Sequence, residues 1–382
     1  MNPIYLDYAA TTPVDPRVLE AMLPFFTEHF GNAASLSHDA GHYAQEAVEH
    51  ARAEVAQTLN ADPREIIWTS GATESINLAL KGVAASPYYQ ARGNHIVTVA
   101  TEHKAVLDTC EYLEKQGIQV TYLPVDAHGS LDLNRLENAI TDTTILVSIM
   151  HANNETGVLH PLREIGQLCK SKNVVFHTDA TQSFGKEPIN VQDCAIDLLS
   201  LSAHKLYGPK GVGALYVRRK GPRVRCEAIL HGGGHERGLR SGTLNVPGIV
   251  GFGKATQLSR EEGIEEQARI RSLRDTLQQE LVAKLGVAIN GHPEQRLANI
   301  LNVSFTDIEA EALMKHTPGI ALSSSAACTS ASRQPSYVLT ALGHDEQRIL
   351  QSLRFSLGRF TTQQEIESTI KQLSRSVMAL RS

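Results

Sequence analysis

The first residue whose type and position indicate chemistry is Lys205, in the stretch Leu198-Leu-Ser-Leu-Ser-Ala-His-Lys-Leu-Tyr-Gly-Pro-Lys-Gly211. The apolar first half predicts a buried strand, and Gly208, Pro209 and Gly211 predict the turn after it. Beside buried apolar side chains a lysine loses water, which lowers its pKa and makes the amine a nucleophile toward carbonyl groups. The alternative is a lysine that extends from a glycine-rich loop into solvent.

A second stretch upstream supports the chemical interpretation. Val174-Val-Phe-His-Thr-Asp-Ala-Thr-Gln-Ser-Phe184 predicts another apolar strand that ends at Asp179, with Gln182 three residues later. Consecutive parallel strands deliver such residues to the same carboxyl edge of a sheet, where open α/β sheets bind ligands. The edge would then hold an amine, a carboxylate and an amide. A pyridoxal 5'-phosphate (PLP) enzyme uses these groups for the covalent link, the pyridine nitrogen and the ring oxygen.

Further segments extend the pattern, in order, over nearly the whole chain. They are Tyr5-Leu-Asp-Tyr-Ala-Ala-Thr-Thr-Pro13, Thr69-Ser-Gly-Ala-Thr-Glu-Ser75, Ala100-Thr-Glu-His103, Asn153-Asn-Glu-Thr-Gly157, His177-Thr-Asp-Ala-Thr-Gln182, Ser202-Ala-His-Lys205, Gly232-Gly-Gly-His-Glu-Arg-Gly238, Arg240-Ser-Gly-Thr243 and Ser323-Ser-Ser-Ala-Ala-Cys-Thr-Ser330. With these segments the sequence resembles the cysteine desulfurases among the class V, fold-type I PLP-dependent enzymes, specifically the NifS/IscS-like group.

The resemblance implies an enzyme that converts L-cysteine to L-alanine and keeps the sulfur as a persulfide on Cys328. It implies catalytic roles for Cys328, Lys205 and His103, and substrate binding by Arg354 and Asn154. In that family an obligate homodimer completes the site, with a threonine that matches Thr243 reaching the phosphate of the other subunit. The residues expected to bind the cofactor are Ala72, Thr73, Asn154, Asp179, Gln182, Ser202, His204, Lys205 and Thr243.

The resemblance also implies a biological role, which is sulfur supply for iron–sulfur cluster assembly. The expected partners are L-cysteine, a second copy of the chain and an iron–sulfur scaffold or other sulfur-acceptor protein. No resident metal is expected, although Cys328 could transiently ligate an iron–sulfur cluster. Because the sequence ends soon after a helix predicted near residues 366–380, we expect no IscS-type scaffold-docking tail. Nitrogenase assembly, housekeeping assembly and tRNA thiolation therefore all stay open as destinations.

Three residues near the predicted edge each allow a second interpretation. A strand over 66–69 leads through Ser70-Gly-Ala-Thr-Glu-Ser75 into a helix, so that Thr73 could anchor a phosphate at the helix N-terminus or simply cap it. His103 follows the strand predicted over 95–100, and it is either a proton carrier that stacks on the cofactor or a structural hydrogen-bonding residue. Asn154 contacts cofactor and substrate by resemblance, or it is an ordinary turn residue.

The segment 319–335 is expected to be a mobile loop that carries the reactive thiol. Ser323-Ser-Ser-Ala-Ala-Cys-Thr-Ser-Ala-Ser332 contains only small residues and has no large apolar side chain to hold Cys328 in a core. The alternative is a linker with an incidental thiol. The other four cysteines, which we expect to be inert and buried, are Cys110, Cys169, Cys194 and Cys226.

The composition excludes several classes of protein. The chain has 382 residues and a formal net charge of −5, which argues against general affinity for nucleic acid or a membrane surface. It has no run of eighteen apolar residues and no leading basic and hydrophobic segment, so we expect a cytoplasmic protein without a membrane span. The basic run Arg218-Arg-Lys-Gly-Pro-Arg-Val-Arg225 predicts a solvated turn, with an acidic partner or RNA as the alternative.

The elements that must position these residues alternate between strand and helix, which predicts an α/β fold with a mostly parallel sheet between helices. A large PLP-binding domain is expected over 14–258, and a smaller α+β domain over 1–13 and 259–382. Ser259 and Glu262 form a capping-box pattern that predicts a new helix at this boundary. Two other functions stay open, transamination on the same fold and a dimeric interaction protein without activity.

Overall fold

The computed structural model describes residues 3–324, 326–329 and 332–381, and between 326 and 334 it describes the backbone without side chains. In chain order the strands are β1 (Ile4–Tyr5), β2 (Ile66–Thr69), β3 (His95–Val99), β4 (Gln119–Leu123), β5 (Thr144–Ser148), β6 (Val175–Asp179), β7 (Leu198–Ser202), β8 (Gly213–Val217), β9 (Ala288–Asn290), β10 (Ile300–Ser304), β11 (Ile320–Ala321), β12 (Ser323–Ser324), β13 (Ala326–Thr329), β14 (Ser332–Pro335) and β15 (Ser352–Ser356).

The α-helices connect and cover these strands. They are α1 (Pro16–Met22), α2 (Pro24–Thr27), α3 (Asp39–Leu59), α4 (Ala72–Ala84), α5 (Pro87–Gln90), α6 (Lys104–Glu114), α7 (Leu133–Ala139), α8 (Leu162–Ser171), α9 (Val246–Leu285), α10 (Ala310–His316), α11 (Tyr337–Ala341), α12 (Glu346–Leu350) and α13 (Gln363–Arg381). Short 3-10 turns cover Pro63–Glu65, Ala203–Lys205 and Glu236–Gly238. In the part of the chain that is described, no helix is both long and apolar enough to span a bilayer.

The large sheet, as far as the structure describes it, contains seven strands in the order β2-β8-β7-β6-β5-β3-β4. Strands β7, β6, β5, β3 and β4 pair in parallel, whereas β8 runs antiparallel to both of its neighbours. All residues of β5, β6, β7 and β8 are buried, as the apolar runs of the sequence predict for strands covered on both faces. The predicted α/β fold with a mostly parallel sheet is confirmed.

Each face of the large sheet packs on its own apolar core. On one face, Val97, Val147 and Phe176 pack with α3 residues such as Val55. The other face packs on α4 and α6 through a separate set of residues that includes Ile76, Val106, Ile96 and Leu198. Because α4 and α6 both begin at the carboxyl edge, they bring residues 72–73 and 103 to the ends of β6 and β7.

A smaller sheet in the order β12-β15-β10-β9 packs against the second half of α9 and against α13. The N-terminal strand β1 pairs with β11, and the chain then passes beside β15, where Asp7 pairs with Ser356. In this way the first residues of the sequence lie between the two sheets. The predicted division into domains at residues 13 and 258 stays a prediction.

The helix predicted to start at Ser259 does not start there. Helix α9 runs without interruption from Val246 to Leu285, and the Ser259 hydroxyl donates to the Thr256 carbonyl oxygen inside it. Packing explains the difference, because α9 buries residues on both sides of position 259, against α3 and α1 first and against the small sheet afterwards. A local capping pattern is a weaker signal than such a buried face.

Candidate functional site

A cavity of about 610 Å³ opens at the carboxyl ends of β6 and β7, where the sequence predicts a ligand site. It collects residues from the N-terminal segment, the large sheet and the small sheet. Those lining it are Ala9, Ala10, Thr11, Ser70, Gly71, Ala72, Thr73, Glu74, His103, Met150, Ala152, Asn154, Asp179, Thr181, Gln182, Ser202, His204, Lys205, Lys210, Gly211 and Arg354.

Lys205 lies in the 3-10 turn that follows β7, and its amine points to the N-terminal segment. The Nζ atom donates to the carbonyl oxygens of Ala9 at 2.7 Å and Ala10 at 2.6 Å. Burial, followed by the positive charge of Arg354, lowers the pKa of Lys205 to about 8. A larger fraction of neutral amine is therefore present near pH 7 than for an exposed lysine.

Asp179 and Gln182 line the same cavity, at and just after the end of β6. Asp179 is 5% exposed, and its Oδ1 atom accepts a hydrogen bond from the Thr181 amide at 2.9 Å. The Nε2 atom of Gln182 donates to the Ala9 carbonyl oxygen at 2.9 Å, and its buried Oε1 atom has no hydrogen-bond partner. A buried polar atom without a partner is costly, so the wall of the cavity is suited to a polar ligand.

The N-terminus of α4 forms the end of the cavity that is suited to an anion. Gly71 precedes the helix with φ of 154°, and no side chain caps the first turn. Its backbone N–H groups and the positive end of the helix dipole are therefore available to an anion beside Thr73. Ser202 lies across from this turn, because a Cβ atom added to Gly71 would be 3.9 Å from the Ser202 hydroxyl. The helix begins earlier than the residue 76 predicted from sequence.

The two histidines of the cavity are held by different contacts. The Nδ1 atom of His103 accepts a hydrogen bond from the Ala105 amide at 3.1 Å, so this residue caps α6 while its exposed ring lines the cavity. The Nδ1 atom of His204 lies 3.1 Å from the Thr11 hydroxyl. Burial and the positive charge of Lys205 lower the pKa of His204 to about 4, so its ring is neutral at pH 7.

Arg354 reaches the cavity from β15. Its Nη1 atom donates to the Asn154 carbonyl oxygen at 2.9 Å, and its Nη2 atom donates to Asp7 Oδ1 at 2.8 Å and to the Ser323 hydroxyl at 2.9 Å. The Nε atom is buried and has no partner, and neither has the side-chain oxygen of Asn154. The free N–H of the guanidinium suits a carboxylate ligand, whereas the unpaired Asn154 oxygen suits a hydrogen-bond donor.

Two acids near the cavity were not predicted from the sequence as site residues. Asp7 stands in the motif at residues 5–13, but its contact with Arg354 joins positions far apart in the chain. Glu102 is fully buried behind Met150, whose amide donates to it. Burial and the nearby Asp179 carboxylate raise the pKa of Glu102 well above its usual range, which favours its protonated form. Its position next to His103 was the available sequence signal.

Of two further predicted site residues, one does not line the cavity and the other has no described side chain. Thr243 is exposed and does not line it. The backbone of Cys328 lies in β13, opposite Arg333 of β14, and its side chain lies outside the described residues. Burial raises the pKa of Cys110 and Cys226 to about 12, and it also raises that of Cys194. These three thiols are therefore poor nucleophiles.

The chain is similar to several known proteins. The aminotransferase class-V family matches residues 4–369. A relative from Anaeromyxobacter sp. (strain Fw109-5), described as cysteine desulfurase IscS, is 58% identical over 380 residues, which cover 99% of this chain and 93% of the relative. A solved NifS-like protein superposes with a TM-score of 0.90 at 41% identity and covers 98% of each chain. A structure of SspA in complex with cysteine gives a TM-score of 0.83 at 39% identity, over 94% of this chain and 100% of that one.

The chain therefore belongs to the class-V aminotransferase family. Within this family it belongs to the cysteine desulfurases of the IscS type, since the identity to such a relative extends over nearly its whole length. The resemblance drawn from the sequence motifs is confirmed.

Proposed function

We propose that this protein is a PLP-dependent cysteine desulfurase that converts L-cysteine to L-alanine and transfers the sulfur to Cys328 as a persulfide. The observation that carries this proposal is the arrangement of three groups around one cavity: the amine of Lys205, the carboxylate of Asp179 and the guanidinium of Arg354. SspA, which has a similar fold, has been solved in complex with cysteine.

The donors and acceptors of the cavity fit PLP. Asp179 would pair with the protonated pyridine nitrogen, and Gln182 would contact the ring oxygen from its buried position. The phosphate would lie at the N-terminus of α4, which no side chain caps, with Ser202 and the neutral ring of His204 as donors. Thr243 of the partner subunit is proposed to complete this phosphate site.

When bound, the cofactor supplies an electron sink for the Cα atom of the substrate. The residues of the chain supply the remaining functions. Lys205 carries an amine with a lowered pKa, which can attack a carbonyl and afterwards take up or return a proton at Cα. The carboxylate of Asp179 would stabilise positive charge on the bound cofactor. His103 presents its Nε2 atom to the cavity and is the second candidate to move protons.

Arg354 and Asn154 are proposed to hold the α-carboxylate of L-cysteine. A fixed carboxylate would orient the substrate and hold its sulfur in one position for attack by Cys328. The Cys328 thiolate then attacks the substrate sulfur, a sulfur–sulfur bond forms and the carbon–sulfur bond breaks. The electron pair of the broken bond stays with the substrate carbon, which takes up a proton. The product then leaves as L-alanine.

We further propose that the protein acts as a cytoplasmic homodimer that supplies sulfur to a scaffold of iron–sulfur cluster assembly. An exposed apolar surface supports association with a second copy. Leu19, Leu23, Phe26 and Phe30 recur at helical spacing and are between 47% and 75% exposed. Such a surface is typical of a protein interface. Transfer of sulfur for tRNA thiolation is an alternative destination.

The test is the release of L-alanine and sulfide from L-cysteine in the presence of a reductant. The native protein should form both products, whereas Cys328→Ala should lose both by at least about a hundredfold and keep its bound PLP. Mass spectrometry of the native protein, mixed with L-cysteine without reductant, should find one added sulfur on the peptide that contains Cys328.

The matched control is Cys194→Ala, which removes a thiol that does not line the cavity and should leave turnover unchanged. Lys205→Ala should abolish turnover together with covalent attachment of PLP. Unchanged turnover in Cys328→Ala would contradict the proposal and favour direct elimination of sulfur or transamination.

A further inference from the structure

We infer that Asp7 is an internal carboxylate that occupies part of the substrate-carboxylate site on Arg354 and thereby weakens binding of the amino acid. This inference rests on the proposed function, since it assumes that Arg354 holds the α-carboxylate of the substrate. It assigns to Asp7 and Ser323 a role in setting affinity.

The contacts of the guanidinium carry the first step. On an arginine, the N–H groups of Nε and Nη2 are parallel and form the side on which a carboxylate binds with both oxygens. In Arg354 the Nε atom is buried without a partner, whereas Nη2 is already bonded to Asp7 Oδ1 at 2.8 Å and to the Ser323 hydroxyl at 2.9 Å. Of the two parallel N–H groups, one is therefore unpaired and the other already has partners.

The second step concerns how firmly Asp7 is held. The Ser323 hydroxyl also donates to Asp7 Oδ1 at 2.8 Å, so that three polar groups form a closed set of hydrogen bonds. The side chains of Arg354 and Asp7 are 11% and 18% exposed, which limits screening by water. The backbone fixes the geometry, because Ser323 pairs with Arg354 between β12 and β15 and Asp7 pairs with Ser356 of the same strand.

The third step is electrostatic. A substrate carboxylate that binds Nε and Nη2 must lie beside the carboxylate of Asp7, and two like charges at this distance repel each other in a partly buried site. Binding therefore requires Asp7 to move off Nη2 or to accept a neighbour of its own charge. Either change lowers the affinity of Arg354 for the substrate carboxylate relative to an arginine with a neutral partner. While the site is free of substrate, Asp7 keeps Arg354 oriented.

The experiment is calorimetric titration of the PLP-loaded dimer with L-alanine, the amino acid product, which carries the carboxylate without the reactive sulfur. Asp7→Asn keeps the shape of the side chain and removes its charge. We expect it to bind L-alanine about three- to tenfold more tightly than the native protein. Ser323→Ala, which removes one partner of Nη2 without a change in charge, should have a smaller effect.

Two controls make the result specific. L-Alaninamide lacks the carboxylate and should show no gain in affinity for Asp7→Asn. Glu155→Gln changes another acid close to Arg354, one that accepts a hydrogen bond from Ser336 and none from the guanidinium, and it should leave L-alanine binding unchanged.

Unchanged or weaker binding of L-alanine by Asp7→Asn would overturn the inference, because Asp7 would then only orient Arg354. This outcome is distinct from failure of the proposed function. If the native protein neither bound L-alanine nor released it from L-cysteine, the desulfurase assignment itself would be wrong. If it did both and only the Asp7→Asn gain were missing, the inference alone would fail.

Discussion

Lys205 is the residue whose environment most clearly differs from that of an exposed side chain of its type. Two carbonyl oxygens hold its amine, and burial together with Arg354 lowers its pKa to about 8. At pH 7 about a tenth of amines with a pKa of about 8 are neutral, whereas for an unperturbed lysine the neutral fraction is below about a thousandth. This difference increases the supply of the reactive form by more than a hundredfold.

The pH dependence of covalent PLP attachment tests the lowered pKa of Lys205. The rate at which PLP becomes covalently bound to the cofactor-free protein should rise with pH and level off through a midpoint near 8, because only the neutral amine reacts. Arg354→Gln removes a positive charge that lowers the pKa, so its midpoint should move to higher pH. Absorbance spectroscopy between pH 6 and 10 measures both rates, and a native midpoint near 10 would contradict the prediction.

Some residues of the site could be predicted from the sequence, and some of its contacts could not. The types and order of Lys205, Asp179 and Gln182 were sufficient because each follows its own strand, and the carboxyl edge of a parallel sheet brings strand ends together. The contact between Asp7 and Arg354 joins residues 347 positions apart. No local pattern encodes such a contact, which depends on the N-terminal segment passing beside β15.

At the scale of elements, the helices that begin at the carboxyl edge position the site, and their starts were harder to predict than their existence. The start of α4 at Ala72 follows a glycine with an unusual φ and no capping side chain, so the sequence gives little local signal. For α9, Ser259 and Glu262 imitate a helix start within a continuous helix. In both elements tertiary packing, and not local preference, sets the boundary.

A buried ion pair connects the glycine-rich segment 231–243 to α3. Both guanidinium nitrogens Nη1 and Nη2 of Arg52, on α3, donate to the Glu236 carboxylate at 2.8 and 2.9 Å, and Glu236 also accepts from the Trp68 amide at 2.8 Å. The two charged side chains are each 3% exposed. Loss of Glu236 would leave the buried Arg52 guanidinium with only the half-exposed Glu49 as an acidic partner.

Glu236→Ala should therefore lower the free energy of unfolding by about 3–5 kcal/mol, as measured by urea denaturation. Glu262→Ala is the matched control, because its ion pair with Arg17 has both side chains 45% exposed, and it should cost less than about 1 kcal/mol. Equal effects of the two substitutions would show that the buried pair does not hold the segment.

At the scale of the whole molecule, the two sheets meet around the cavity, and the first residues of the chain connect them. The carbonyl oxygens of Ala9 and Ala10 contact Lys205 of the large sheet, while Asp7 contacts Arg354 of the small one. The site consequently exists only when both sheets are folded. Conditions that reduce stability should affect cofactor binding and substrate binding together.

Acid is such a condition, because the folded protein buries neutral histidines. Burial lowers the pKa of His151 and His177 to about 3 and that of His160 to about 4. In the unfolded chain these groups titrate near 6.5, so below this pH the unfolded state binds more protons and the free energy of unfolding falls. Glu102 acts in the opposite sense, since the folded state retains a proton that the unfolded state releases above about pH 4.5.

A single substitution isolates the contribution of one histidine. The ring nitrogens of His177 lie 2.8 Å from the Ser148 hydroxyl and 2.9 Å from that of Ser200, and His177→Asn keeps a polar side chain there without a group that titrates. Between pH 6 and 4.5 the native free energy of unfolding should fall more steeply than that of His177→Asn, by about 1 kcal/mol per pH unit. His50→Asn, at a side chain that is 77% exposed, should keep the native slope. If His177→Asn also kept the native slope, proton uptake by this buried histidine would not contribute to unfolding in acid.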